Sequence, residues 1–121
     1  MEKALVIQPD GTLEVRPFES GNLASLKALI DGGYLEYIPN GDDVAIVNED
    51  GLRLRLPLNP KATAILDQLG YEWNGVLLGP VALASTQIQE ITYPDGYKET
   101  DRVTISVADE VIDQFMPTNA M

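Results

Sequence analysis

The chain has 121 residues, 45% apolar and 22% charged, ordinary values for one globular domain with one core. It carries 8 Lys and Arg against 19 Asp and Glu, a net charge of −11, and contains neither Cys nor His. Disulfides, thiolate sites, cysteine nucleophiles, imidazole bases and the usual zinc and non-haem iron sites are therefore excluded, and the acidity argues against a protein that grips a phosphate backbone with a broad basic face.

Lys3 to Gln8 is a short apolar run, Pro9-Asp10-Gly11 is a turn signal, and Thr12 to Arg16 alternates, which predicts a β-hairpin. Asn22 caps a helix of about nine residues whose Leu23, Leu26, Leu29 and Ile30 share one face and which Gly32-Gly33 ends. Tyr34 to Ile38 and Val44 to Asn48 read as strands around a turn at 39–43. After the turn Glu49-Asp50-Gly51, the alternation of Leu52, Leu54 and Leu56 with Arg53 and Arg55 predicts a third strand of an antiparallel meander.

Asn59 and Pro60 open a second helix, with Ala62, Ile65, Leu66 and Leu69 as its buried stripe and Gly70 as its stop. Val76 to Leu78 and Val81 to Ala84 read as buried strand broken at Gly79-Pro80. Gln87 to Thr92 and Val103 to Ile105 form a hairpin around Tyr93-Pro94-Asp95-Gly96. Ser106 and Asp109 have capping-box spacing before a short helix lined by Val107, Val111, Ile112 and Phe115, and Met116 to Met121 are expected to fray. The whole, 1–121, reads as a single α+β domain with a mostly antiparallel sheet of six to eight strands and two or three short helices.

The order of these pieces carries a resemblance. Leu26 to Ile38 (helix, then Gly32-Gly33-Tyr34-Leu35-Glu36) is followed by Asn48-Glu49-Asp50-Gly51, then by Leu56-Pro57-Leu58-Asn59-Pro60-Lys61-Ala62, then by Gly79-Pro80-Val81. Over residues 23–84 the chain resembles a domain of unknown function, the one numbered 3846, whose members are short proteins of phages, plasmids and their bacterial hosts. The hairpin and helix at 87–116 lie outside that resemblance. The resemblance implies a mobile-element setting and supplies no catalytic residues, so no cofactor and no enzymatic activity is expected.

Arg53, Arg55 and Lys61 beside the start of the second helix form the strongest candidate ligand site. Two arginines on one strand face grip a phosphate or carboxylate, and a helix N-terminus adds free N–H groups; Asn59 either joins them or caps the helix. The competing reading pairs both arginines with Glu36, Glu49 or Asp50 across the sheet. Tyr34 and Tyr37, after two glycines, either stack on a base or sit half in the core. Asp42-Asp43 and Glu49-Asp50 lack the ligand ladder of a calcium loop, and no metal is expected there. Trp73, the only tryptophan, is either an anchor for a partner or a plug of the core.

Two functional readings follow. The first is a non-enzymatic counter-defence protein, a homo-oligomer that sequesters a small anionic, nucleotide-type signal. The alternative is an acidic inhibitor or DNA mimic that occupies a basic surface of a host defence protein. Direct nucleic-acid binding and a membrane are not expected. From a start, Met1 to Leu5, without a basic region and long apolar run, a cytoplasmic location is expected by default.

Overall fold

The computed structural model describes residues 1–116; the fraying expected at the C-terminus lies, from residue 117 on, outside the described residues. The elements are β1 (Glu2–Ile7), β2 (Leu13–Phe18), α1 (Leu23–Ala28), β3 (Leu35–Asn40), β4 (Asp43–Asn48), α2 (Pro60–Gln68), β5 (Val81–Thr92), β6 (Lys98–Ile105) and α3 (Asp109–Phe115). Strands run in the order β2-β1-β5-β4-β3, with β6 added to β5, and every pairing is antiparallel. This is an α+β domain of six strands and three helices. None of the helices described is long and apolar enough to cross a membrane.

The continuous apolar runs of β1, β4 and the start of β5 have a simple cause. Successive strand residues point to opposite faces, so a run without alternation needs cover on both sides. Ala4, Val6, Val44, Ile46, Ala82 and Ala84 pack with Phe18 and with Leu26, Leu29 and Ile30 at α1. Leu5, Ile7, Ala45, Val47, Val81 and Leu83 pack with Ala62, Ile65 and Leu66 of α2 and, more loosely, with Val111, Ile112 and Phe115 of α3.

β5 passes from one setting to another. Val81 to Ser85 are buried between β1 and β4, whereas Gln87 to Glu90 are exposed and pair only with β6. What reads in sequence as two strands is one strand of 12 residues. The chain then returns to β1: Lys3 donates its N–H to Ser106 Oγ at 3.0 Å, and Val107 donates to Lys3 O at 2.9 Å. Ser106 N–H and Oγ both donate to Glu2, at 2.7 and 2.9 Å, and these bonds hold the Glu2 carboxyl below its usual range. Ser106 is thus spent on the N-terminus and is not a helix cap; α3 starts from Ala108 with no side-chain cap.

The outer strands β2 and β3 are both interrupted by proline. The bonds Gln8 N–H to Thr12 O and Glu49 N–H to Tyr34 O fix which residues face the neighbouring strand. By alternation Pro17 of β2 and Pro39 of β3 occupy outward-facing positions, where a strand would otherwise offer an N–H. β3 accordingly continues through Pro39 and Asn40, two residues that sequence alone assigned to a turn. The helix expected to reach Ile30 is shorter and ends at Ala28, with Asn22 Oδ1 capping Ser25 N–H at 3.1 Å as predicted.

The predicted third meander strand is absent. Leu54 N–H donates to Asp50 O at 2.9 Å, Arg55 N–H to Leu52 O at 3.1 Å and Leu56 N–H to Gly51 O at 2.8 Å. That is one helical turn closed by a Schellman motif, with Arg55 at φ 56° in the left-handed position usually held by glycine. Alternating leucines do not make a strand where no neighbouring edge is offered: Leu52 is 82% exposed. Val76 to Leu78 is likewise not a strand. Its trace of sheet is a single bridge between Leu78 and Leu58, and Val76 is exposed.

Candidate functional site

The residues of the expected basic site separate. Arg53 Nη2 lies 3.2 Å from Asp50 Oδ2, within the turn rather than across a sheet. Arg55 and Lys61 are exposed and border none of the cavities described below. Without the strand, Arg53 and Arg55 no longer share a face. Asn59 is buried and fully engaged: Oδ1 accepts from Ala62 N–H at 3.0 Å, while Nδ2 donates to Ile7 O and Gly79 O at 2.9 and 2.8 Å. It caps α2, the second of the two roles expected for it. Tyr34 is exposed, and Lys27 Nζ sits 5.4 Å from its ring centre, a cation–π contact within the protein. Tyr37 borders both of the cavities described below, and Asn59 borders a smaller one beside Pro60 and Trp73.

Asp50 organises this corner. It accepts from Arg53 and from Tyr34 N–H, and the Arg53 hydrogen bond, more than the Tyr34 bond, holds its carboxyl below the ordinary range against the opposing effect of desolvation. A carboxyl whose pKa is lowered on folding contributes stability above its unfolded value, about 3.9, and that contribution is lost as pH falls through the folded value. Asp50→Asn should therefore lower the urea midpoint at neutral pH. Wild-type and variant midpoints should converge on acidification; curves that stay parallel into strong acid would show that Asp50 is not responsible.

One concave region lies along β3 and the segment after α2. This cleft has a volume of about 440 Å³ and is bordered by Glu36, Glu49 and Glu72, by Trp73, and by Leu52 and Val76. No Lys or Arg borders it. Leu52 and Val76 are 82% and 67% exposed, so the rim is apolar as well as acidic. Trp73 packs against the α2-side core and also forms a wall of the cleft. The site residues that sequence reasoning missed are Glu72 and the two leucine and valine rims. Only the fold of residues 71–78 against β3 brings them to Glu36.

The second region is a groove of about 510 Å³ on the α1 side of the sheet, between Tyr37, Val44, Thr86 and Arg102. Arg102 Nη1 donates to Thr86 Oγ1 at 2.8 Å. Burial raises the Tyr37 hydroxyl above its usual pKa, against a smaller opposing effect of Thr104. Arg102 could not have been singled out from sequence, because its place beside Thr86 depends on the register of β5 and β6. Among the described residues no group of three or more Asp and Glu side chains is placed to hold a metal ion.

Comparison with known proteins adds a family. No curated protein and no solved structure matches the chain. One family model does, over residues 1–116, so the kinship first read at 23–84 extends through β1 and β2 at one end and the β5–β6 hairpin and α3 at the other. With that coverage, the chain belongs to the family described as Domain of unknown function (DUF3846).

Proposed function

We propose that this protein acts by binding and not by catalysis, as an acidic module that occupies a basic, partly apolar surface of a protein partner. One observation carries the reading: three glutamates, Glu36, Glu49 and Glu72, surround a cleft walled by Trp73 with no cation on its rim. The net charge of −11 supports it, since a long-range negative field steers a basic partner toward such a cleft. Exposed Leu52 and Val76 add apolar area that a purely ionic partner would leave uncovered. In the mobile-element setting suggested by the resemblance, the partner is a host defence protein and binding blocks its basic surface. Sequestration of a nucleotide-type signal by Arg53 and Arg55 has less support, because the strand that was to place them on one face is a turn.

The sole tryptophan makes the test direct. Trp73 emission is followed while an amphipathic Lys/Leu peptide, and separately its Glu/Leu counterpart, is titrated at low and at high salt. The Lys/Leu peptide should shift the emission saturably, and its affinity should fall about tenfold or more at high salt. Glu72→Gln and Glu36→Gln should each weaken it. No shift, or an affinity indifferent to salt and to both substitutions, would overturn the proposal.

A further inference from the structure

We propose that the groove between Tyr37 and Arg102 is a second binding site, for a small oxyanion carried on a planar ring, a purine mononucleotide being the representative.

The first support is the state of Arg102. Lys3, Arg53 and Lys98 each lie within ion-pair distance of a carboxylate, at 3.0, 3.2 and 3.7 Å. Among the described residues Arg102, like Arg16, Lys27, Arg55 and Lys61, has no such partner, and it alone of these five borders the groove. Its guanidinium is instead turned to Thr86 Oγ1, which fixes one N–H and leaves the rest of the fork toward the groove. A fork held on one side by a hydroxyl is pre-oriented to take a carboxylate or phosphate.

The second support is the groove itself. Its floor includes Val44, only 2% exposed, and its wall includes Tyr37, 46% exposed. A half-exposed ring beside an apolar floor offers one face for stacking. The groove exists because α1 packs against Val44, Ile46 and Ala84 and covers no more of this face, so the sheet from Val44 to Thr86 and Arg102 stays uncovered. Its volume falls within the range of small-molecule sites.

The Asp43 carboxylate leaves the groove to the arginine: Asp43 alternates with Val44 along β4, and its Oδ1 accepts from Ser85 Oγ at 3.4 Å on the α2 side of the sheet. No carboxylate side chain therefore opposes Arg102 across the groove, and an oxyanion carried on the stacked ring meets the guanidinium unopposed. The groove shares Tyr37 and Pro39 with the acidic cleft proposed above and no other lining residue, so Arg102→Gln reads the groove alone.

The test is a titration of the ¹⁵N-labelled protein with guanosine monophosphate, guanosine, and inorganic phosphate, following amide shifts. Guanosine monophosphate should shift Tyr37, Val44, Thr86 and Thr104 saturably within the millimolar range. Guanosine and phosphate should each bind about tenfold more weakly, as should Arg102→Gln and, independently, Tyr37→Leu. Arg102 and Tyr37 are both exposed, so spectra outside the groove should stay those of the wild type. Absence of saturable shifts overturns the proposal, as does equal affinity in Arg102→Gln. Phosphate binding as tightly as the nucleotide removes the ring, and guanosine binding as tightly removes the anion; either result also overturns it.

Discussion

Asn59→Ala should destabilise the protein by about 3–5 kcal/mol, a loss out of proportion to the few atoms removed. The residue is 1% exposed, and its side chain serves three backbone groups at once. Oδ1 caps Ala62 N–H at the start of α2; Nδ2 joins Ile7 O, at the end of β1, to Gly79 O, just before β5. Alanine leaves one donor and two acceptors buried without partners, and each such group costs about 1–3 kcal/mol. Asn59→Asp keeps the cap and the shape but turns an anion toward two carbonyl oxygens, so it should be no better than alanine. Urea denaturation checks both: the midpoint should fall with an unchanged slope. A loss under about 1 kcal/mol for alanine would mean that water enters and satisfies the same three groups.

Gly33→Ala should cost about 2–4 kcal/mol, several times the cost of Gly32→Ala next to it. Both glycines have positive φ, 79° and 85°, so both substitutions carry backbone strain. They differ in surroundings. A Cβ at Gly33 would lie 2.6 Å from Asn48 Oδ1 and 3.2 Å from its Cγ, whereas a Cβ at Gly32 meets nothing within 4 Å. Asn48 cannot step aside freely. Its Nδ2 donates to Ile30 O and Gly32 O at 2.9 and 2.6 Å, and its Oδ1 accepts from Asp50 N–H at 2.9 Å. Thermal or urea unfolding of the two variants side by side isolates the close approach from the strain. Equal losses would mean that Asn48 does not hold its place.

These two asparagines also show how much of the fold was legible in the sequence. Asn59-Pro60 followed by an apolar stripe announces a helix start, and α2 lies where that pattern put it. The cap is a local bond, so local spacing reveals it. The two bonds that Asn59 makes to β1 and to the approach of β5 span 52 and 20 residues, and nothing in the neighbouring sequence reports them. The same limit explains the false strand at 52–56. Leucine–arginine alternation is what an edge strand and an exposed turn can both carry, and the distinction lies in Gly51 packing against Leu78 and in Arg55 adopting a left-handed backbone. The candidate site shifted for that reason. A basic pair placed on an imagined strand face dissolved once the strand did, while the acidic cleft needed β3 and the 72–78 segment to be neighbours, a long-range fact. The charge balance, by contrast, was readable at once, because it needs no geometry.

Pro17 and Pro39, at opposite borders of the sheet, bear on what happens when many copies crowd together. Chains with bare strand borders zip into ribbons when concentrated or briefly warmed, each copy templating the next. Here a recruited strand finds a gap in the row of donors on either border, and along β6 it meets Lys98, Glu99, Asp101 and Arg102 in close succession. Self-templated fibre growth is thereby discouraged at every border without any loss of apolar area from the interior.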